Sequence, residues 1–246
     1  MINLNVNIDH FATLRNARGE NDPDIVFVAK TAEIAGASGI VVHLRKDKRH
    51  IKDQDVIDLK KNISTHLNLE MSVDILDFAC EVKPAVATIV PEEHNELTTE
   101  GGLDVVKNLK NIETAIKRLK DTDIKVSLFI EPDNEQIEAA AEVGADIVEF
   151  NTKSFAIAFG KNDFKQIKNE IIRMEKATAL AKLKKHLYVS AGHSLNYHNV
   201  KEFARIEEIQ EYNIGHSIVS RSTIIGLPAA VKEMIGLINM HREFGK

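Results

Sequence analysis

The chain of 246 residues contains one cysteine, no tryptophan, five prolines and only 5% aromatic residues. A single cysteine, Cys80, excludes an intramolecular disulfide and any cysteine-rich metal site. In its apolar helical context it reads as a small buried residue. With so few aromatics there is no stacking platform for nucleobases. Net charge is −5 with no long run of one sign, so nucleic acid is not an expected partner. No run of about 18 apolar residues exists, which leaves no candidate membrane-spanning helix. The N-terminus runs straight into a strand pattern and lacks the basic and apolar regions of a signal peptide, so a cytoplasmic location is expected. What is present is 43% hydrophobic and 28% charged residues, enough for a large core and too apolar for disorder. The length suits one α/β barrel, a single domain over residues 1–246.

Short apolar runs, too short for helices, fall at 4–8, 39–44, 66–71, 85–90, 124–130, 146–150 and 187–190. A last strand region is expected around 213–214 and 217–219. Helical patterns lie between them. One begins at Asp22-Pro23-Asp24 and stops at Gly36; others cover 53–62, 104–119, 164–185, 198–205 and 226–240, and Asp74 is the expected cap of another that ends before Pro84. Residues 11–21 read as a mixed loop, and 151–162 as a loop or short helix. The polar stretch 91–102, ending in Gly101-Gly102, has the length of a lid. Short strands alternating with helices imply a parallel sheet covered on its outside. Eight strand-then-helix units imply α/β class and a closed (β/α)8 TIM barrel with extra helices. A doubly wound nucleotide fold ranks below it, because the turn after the first strand is Asp9-His10-Phe11-Ala12-Thr13 and not glycine-rich.

The segment 39–50 changes abruptly from an apolar strand to a loop carrying His43, Arg45, Lys46, Lys48, Arg49 and His50. Alone, such a cluster reads as a solvated basic turn. In a barrel, catalytic groups come from the C-terminal ends of different strands. Those ends bring Asn7, Asp9, His10, His43, Arg45, Glu70, Glu149, His193, Gly215 and His216 toward one mouth, and with His50 in the loop just after the second strand half of the ten histidines lie there. A histidine titrating near neutrality can take and return protons, a buried glutamate can act as base, and arginine forks bind phosphate. Gly192 and Gly215 leave room beside the last strands, where backbone N–H groups can hold phosphate. Glu149 reads equally as structural. Metal binding is disfavoured: there is no His-x-His or His-Glu-x-x-His pattern, and arginines accompany the histidines. No strand-end lysine supports Schiff-base chemistry. On these residues alone, another barrel enzyme acting on a phosphorylated sugar, or a non-catalytic phosphate-binding protein, remains open. Lys46, Lys48 and Arg49 keep the reading of a solvated rim that steers anions inward.

Eight segments in this order carry a resemblance: 6–10 (Val-Asn-Ile-Asp-His), 12–19 (Ala-Thr-Leu-Arg-Asn-Ala-Arg-Gly), 42–45 (Val-His-Leu-Arg) with Arg49-His50, 68–71 (Asn-Leu-Glu-Met), 98–104 (Thr-Thr-Glu-Gly-Gly-Leu-Asp), 126–130 (Val-Ser-Leu-Phe-Ile), 191–193 (Ala-Gly-His) with 197–200 (Tyr-His-Asn-Val), and 213–216 (Asn-Ile-Gly-His). From residue 3 to about 240 the chain resembles the pyridoxine 5′-phosphate synthase family. The resemblance implies a (β/α)8 barrel with extra helices, assembled as a homo-octamer. It implies condensation of 1-deoxy-D-xylulose 5-phosphate with 3-amino-2-oxopropyl phosphate, releasing inorganic phosphate and water, with no organic cofactor or metal. By resemblance His43, Glu70 and His193 occupy catalytic acid–base positions. Asn7, Asp9, His10, Arg18, Arg45, His50, Thr98, Ser194, Gly215 and His216 match substrate- and phosphate-binding positions, and the loop after strand four matches a closing lid. The family often has glycine where this chain has Ser194, and the segment after Glu70 is shorter than in some relatives.

Overall fold

The computed structural model describes residues 2–92 and 101–243. Eight parallel strands, β1 (Asn3–Asn7), β2 (Gly39–His43), β3 (His66–Met71), β4 (Val86–Ile89), β5 (Lys125–Ile130), β6 (Ile147–Asn151), β7 (Tyr188–Gly192) and β8 (Glu211–Ile214), form a closed barrel. β1 pairs with β2 on one side and with β8 on the other, which closes the ring.

The strands are less uniformly apolar than their sequence suggests at first sight. They alternate, as strand geometry requires of two chemically different faces. Leu4, Val6, Ile40, Val42, Leu67, Leu69, Val126, Leu128, Val148, Phe150, Val189 and Ile214 belong to the continuous apolar core shared with the helices. The intervening residues Asn5, Asn68, Thr88, Ser127, Glu149, Ser190, Glu211 and Asn213 are all buried and polar. The lumen is therefore largely polar, with Val41, Val86, Phe129 and Ile147 as apolar members of the same faces, and the main hydrophobic core is the layer between sheet and helices.

That layer is closed by α2 (Ile25–Ile34), α3 (Asp53–Asn62), α4 (Leu76–Val82), α5 (Leu109–Lys120), α6 (Asn134–Glu142), α8 (Phe164–Ala179) and α11 (Leu227–Glu243), with α1 (Asp9–Arg18), α7 (Lys153–Gly160), α9 (Val200–Ala204) and α10 (His216–Ile225) placed at the strand ends. α5 buries Ile112, Ala115, Ile116 and Leu119, a stripe at helical spacing. Asp24 and Asp163 cap α2 and α8, accepting from Phe27 N at 2.7 Å and from Gln166 N at 3.0 Å.

Four sequence expectations are corrected. Residues 11–18 of the expected loop 11–21 belong to the helix α1; its buried residues are Asp9, Ala12 and Arg15, so the inward stripe is mostly polar and hydrophobic periodicity is blind to it. α5 starts at Leu109, because the Asp104 carboxylate holds Lys107 N at 3.2 Å in a preceding turn. Asp74 lies inside the 3-10 turn Val73–Ile75 without capping, and pairs instead with Lys46 Nζ at 3.2 Å. Residues 217–219 continue α10, because the carbonyl of Gly215 takes up Ile218 N and Val219 N at 2.9 and 3.1 Å and overrides the β-branched propensity. Residues 151–162 resolve into the end of β6 and α7, and α8 closes in a π-type turn over Leu180–Lys184.

Candidate active site

The C-terminal mouth of the barrel is built from strand ends in register. His43 on β2 lies opposite Glu70 on β3, and Glu70 opposite Thr88 on β4. His43 Nδ1 is 3.9 Å from Glu70 Oε2. The Glu70 side chain keeps 18% exposure, so the carboxyl faces the open mouth while its surroundings are dry. Asp9, the first residue of α1, folds back: its Oδ1 accepts His43 N at 2.9 Å and its Oδ2 accepts Asn7 Nδ2 at 3.0 Å. That contact fixes the backbone on which the His43 imidazole is mounted. The Nε2 atom of His43 is buried with no hydrogen-bond partner among the described residues.

The other imidazoles gather around this pair. His50 approaches His43 with ring centroids 6.1 Å apart, and His10 meets His216 edge-on at 5.2 Å. His216 opens α10 directly after Gly215, where a Cβ would come within 2.9 Å of Asn7. On the far side His193 follows β7 and packs its ring 6.0 Å from Phe129.

Burial sets the protonation states. It pushes His43 down to about 3 and His50 down to about 4, with help from neighbouring imidazoles and Arg45. It pushes Asp9 up to about 7. Glu70 is raised by burial and then by the nearby Glu149 and Asp9 carboxyls. Burial thus favours the neutral imidazole at His43 and His50 and the protonated carboxyl at Asp9 and Glu70, an arrangement suited to moving protons without large changes of charge.

Glu149 stands behind this pair. Its Oε2 accepts Asn213 Nδ2 at 2.6 Å, and Asn213 Oδ1 accepts Asn5 Nδ2 at 3.0 Å. The β6–β8 contact crosses β7 at Gly192, where a Cβ would collide with Glu149 Oε1. Glycine at 192 is therefore a requirement of the lumen network. Burial raises the Glu149 carboxyl well above its ordinary 4.5. Between 4.5 and that raised value the folded protein holds a proton that the unfolded chain releases, so this group makes stability fall as pH rises from about 4.5. Glu149→Gln keeps the acceptor and removes the titration. Its melting temperature should match wild type near pH 5 and exceed it at pH 8 by ~5 °C or more, measured by calorimetry. An unchanged difference between the two pH values would contradict the protonated state.

Other sequence-chosen residues fall differently. Arg45 is buried, with a side chain 2% exposed, and its Nε lies 3.6 Å from Asp47 Oδ1 and 3.8 Å from Glu92 Oε1. It sits at the foot of the loop after β4, where Glu92 also accepts Lys46 N at 2.9 Å. Arg18 ends α1 with a side chain 78% exposed and pairs with Glu20 at 3.5 Å, apart from the mouth cluster. Ser194 follows His193, and both adopt left-handed backbone, φ 64° and 71°. A residue without a Cβ meets that conformation at lower cost. Thr98 and most of the expected lid lie outside the described residues. Asn5, Asn151, Thr152 and Asn213 were not singled out from sequence; the signal available was the polar face repeating every second residue along β1, β3, β6 and β8. Among the described residues no cluster of three His, Cys, Asp or Glu side chains is placed to hold a metal ion, and no helix is long and apolar enough to cross a membrane.

Comparison with known proteins follows the same lines. The family described as pyridoxal phosphate biosynthesis protein PdxJ matches residues 4–240. The pyridoxine 5′-phosphate synthase of Geotalea uraniireducens (strain Rf4) is 48% identical over 240 residues, covering 97% of this chain and 99% of that protein. That of Geobacter sp. (strain M21) is 50% identical over the same coverage. Among solved structures, phosphoribosyl anthranilate isomerase from Thermus thermophilus superposes with a TM-score of 0.59 at 10% identity, covering 97% of this chain and 99% of the other. KGPDC from Streptococcus mutans gives 0.62 at 11%, covering 98% and 99%. At such identities these two speak for the barrel fold alone. The match over residues 4–240, with relatives about half identical along nearly their whole length, places this chain in the PdxJ family of pyridoxal phosphate biosynthesis proteins.

Proposed function

We propose that the chain is a pyridoxine 5′-phosphate synthase, closing the pyridine ring from 1-deoxy-D-xylulose 5-phosphate and 3-amino-2-oxopropyl phosphate with release of inorganic phosphate and water. The observation that carries the reading, beside the family membership, is the His43–Glu70 pair at 3.9 Å, with both side chains largely withdrawn from solvent. The amine condenses with the ketone to give an imine. Glu70 removes carbon-bound protons; its raised carboxyl makes the ionised form a stronger base than an ordinary glutamate. His43 assists proton transfer during phosphate elimination and ring closure. His193 protonates departing hydroxyls. Arg45 and the first turn of α10 after Gly215-His216 hold the two phosphates, the last through backbone N–H groups at a helix start; the resemblance adds Arg18, which stands outside the mouth cluster of the single chain. Asn7, Asp9, His10, His50, Thr98 and Ser194 complete the substrate contacts. A phosphate placed beside the imidazoles favours their charged forms, so binding itself returns the histidines toward useful proton affinity.

The test is to mix purified protein with both substrates and measure pyridoxine 5′-phosphate and released phosphate together. One phosphate per ring is the expected result. Phosphate without ring product, or neither, overturns the reading.

The same proposal includes a cytoplasmic location and a homo-oligomer, an octamer by family likeness, each chain contributing one barrel domain. Support for assembly comes from large apolar side chains left outside, including Phe27 and Ile34 on α2, Phe164 on α8 and Ile224 on α10, each at least 72% exposed. Light scattering at micromolar concentration should give a mass several times that of one chain. A clean monomer defeats the assembly.

A further inference from the structure

Two helices begin beside the His193 loop, and neither is capped by its own N-cap side chain. Thr152 precedes α7 and Asn199 precedes α9, residue types that ordinarily cap by accepting a backbone N–H from the first turn. No such bond forms at either position. Both side chains are diverted. The Thr152 hydroxyl donates to the carbonyl of His193. The Asn199 carboxamide donates to the carbonyl of Ser194 at 3.1 Å, while its Oδ1 accepts Asn196 N at 2.7 Å. Thr152 is 1% exposed and Asn199 0%. Thr152 also ties its own backbone N–H to Gly192 O at 3.1 Å, so the end of β6 grips the end of β7 from two atoms.

The carbonyls they hold belong to the two consecutive left-handed residues, His193 and Ser194. Neither is glycine, so each conformation carries a steric cost and persists only where the surroundings over-determine it. We propose that Thr152 and Asn199 are positioning residues that hold the His193–Ser194 backbone in its left-handed form and so aim the His193 imidazole into the mouth. The inference rests on the reading of His193 as the proton donor. It gives function to two helix starts that would be more stable with their caps made.

The test compares Thr152→Val, Thr152→Ser, Asn199→Ala and His193→Gln in the full-length enzyme, with kcat normalised to folded protein. Valine has the shape of threonine without the donor. Thr152→Val should lower kcat at least tenfold, on the order expected for a small misplacement of a reacting group, with KM for both substrates within about twofold of wild type. Thr152→Ser, which keeps the hydroxyl, should recover kcat to within about threefold. If Thr152→Val does not fold, Asn199→Ala reads the same loop from its other end and should lower kcat with KM unchanged. Wild-type kcat in Thr152→Val, a loss that serine does not recover, or a change in KM alone overturns the proposal. His193→Gln separates the two levels: a slow His193→Gln beside a normal Thr152→Val removes only the positioning role, whereas wild-type kcat in His193→Gln removes the acid assignment and the proposal with it.

Discussion

Glu70→Gln lowers turnover at least ~10²-fold and leaves KM for both substrates within a few-fold of wild type. Glutamine matches glutamate in volume and can still accept a hydrogen bond, so the mouth should keep its shape. What is lost is the capacity to take a proton from carbon and give it back. The pH dependence makes the assignment more specific. A base must be ionised, and burial with Glu149 and Asp9 nearby raises the Glu70 carboxyl. The ascending limb of kcat should therefore lie above the range of an ordinary carboxylate, with activity rising as pH rises through it. Ionisation of either carboxyl opposes ionisation of the other, so Glu149→Gln, which cannot ionise, takes away one of the raising influences and should move that limb to lower pH. Stopped-flow or steady-state rates from pH 5 to 9 measure both effects. Near wild-type turnover in Glu70→Gln sinks the base assignment, and a limb that stays put in Glu149→Gln removes the coupling between the two carboxyls.

The barrel could be read from the sequence because strand and helix alternate with short connections, and because the apolar outer face of each strand is continuous. Asn5, Asn68, Glu149 and Asn213 show where such reading stops. Their polarity and spacing are visible along each strand, but whether they meet depends on closure. Glu149 and Asn213 stand on β6 and β8 and touch only across the missing side chain of Gly192. No single segment contains that information. The helix α1 was hidden for a different reason: the face it buries is Asp9 and Arg15 as well as Ala12. A search for apolar stripes passes over a helix whose inward side is satisfied by hydrogen bonds at Asp9 and an ion pair at Arg15. His43 and Glu70 were placed from their strand ends, and the register brings them opposite each other. Arg45 reads from sequence as a substrate contact at the end of β2; its side chain is buried near Asp47 of its own loop and Glu92 of the loop after β4, contacts that join two loops.

Asp55→Ala should cost about 3–5 kcal/mol of stability, the range for leaving one member of a buried ion pair uncompensated. The Arg15 guanidinium binds Asp55 through both oxygens, at 2.6 and 2.8 Å, with the two side chains only 10% and 13% exposed. Solvent screening is correspondingly weak at this pair. Asp55 also accepts Lys52 N at 2.8 Å, so its loss removes part of the start of α3. The second consequence concerns the mouth. Arg15 and Asn16 both donate to the carbonyl of His50, at 3.3 and 2.8 Å, and so pin the loop after β2 onto α1. Freed of Asp55, that loop should hold His50 less firmly and KM for at least one substrate should rise. Chemical denaturation measures the first effect and steady-state kinetics the second. The double variant Arg15→Leu with Asp55→Leu should be clearly less destabilised than the sum of the two single changes, because it removes the charge that Asp55→Ala strands. A fully additive cycle would mean that the two side chains stabilise the protein independently, and the α1–loop clamp would then lie in Asn16 alone.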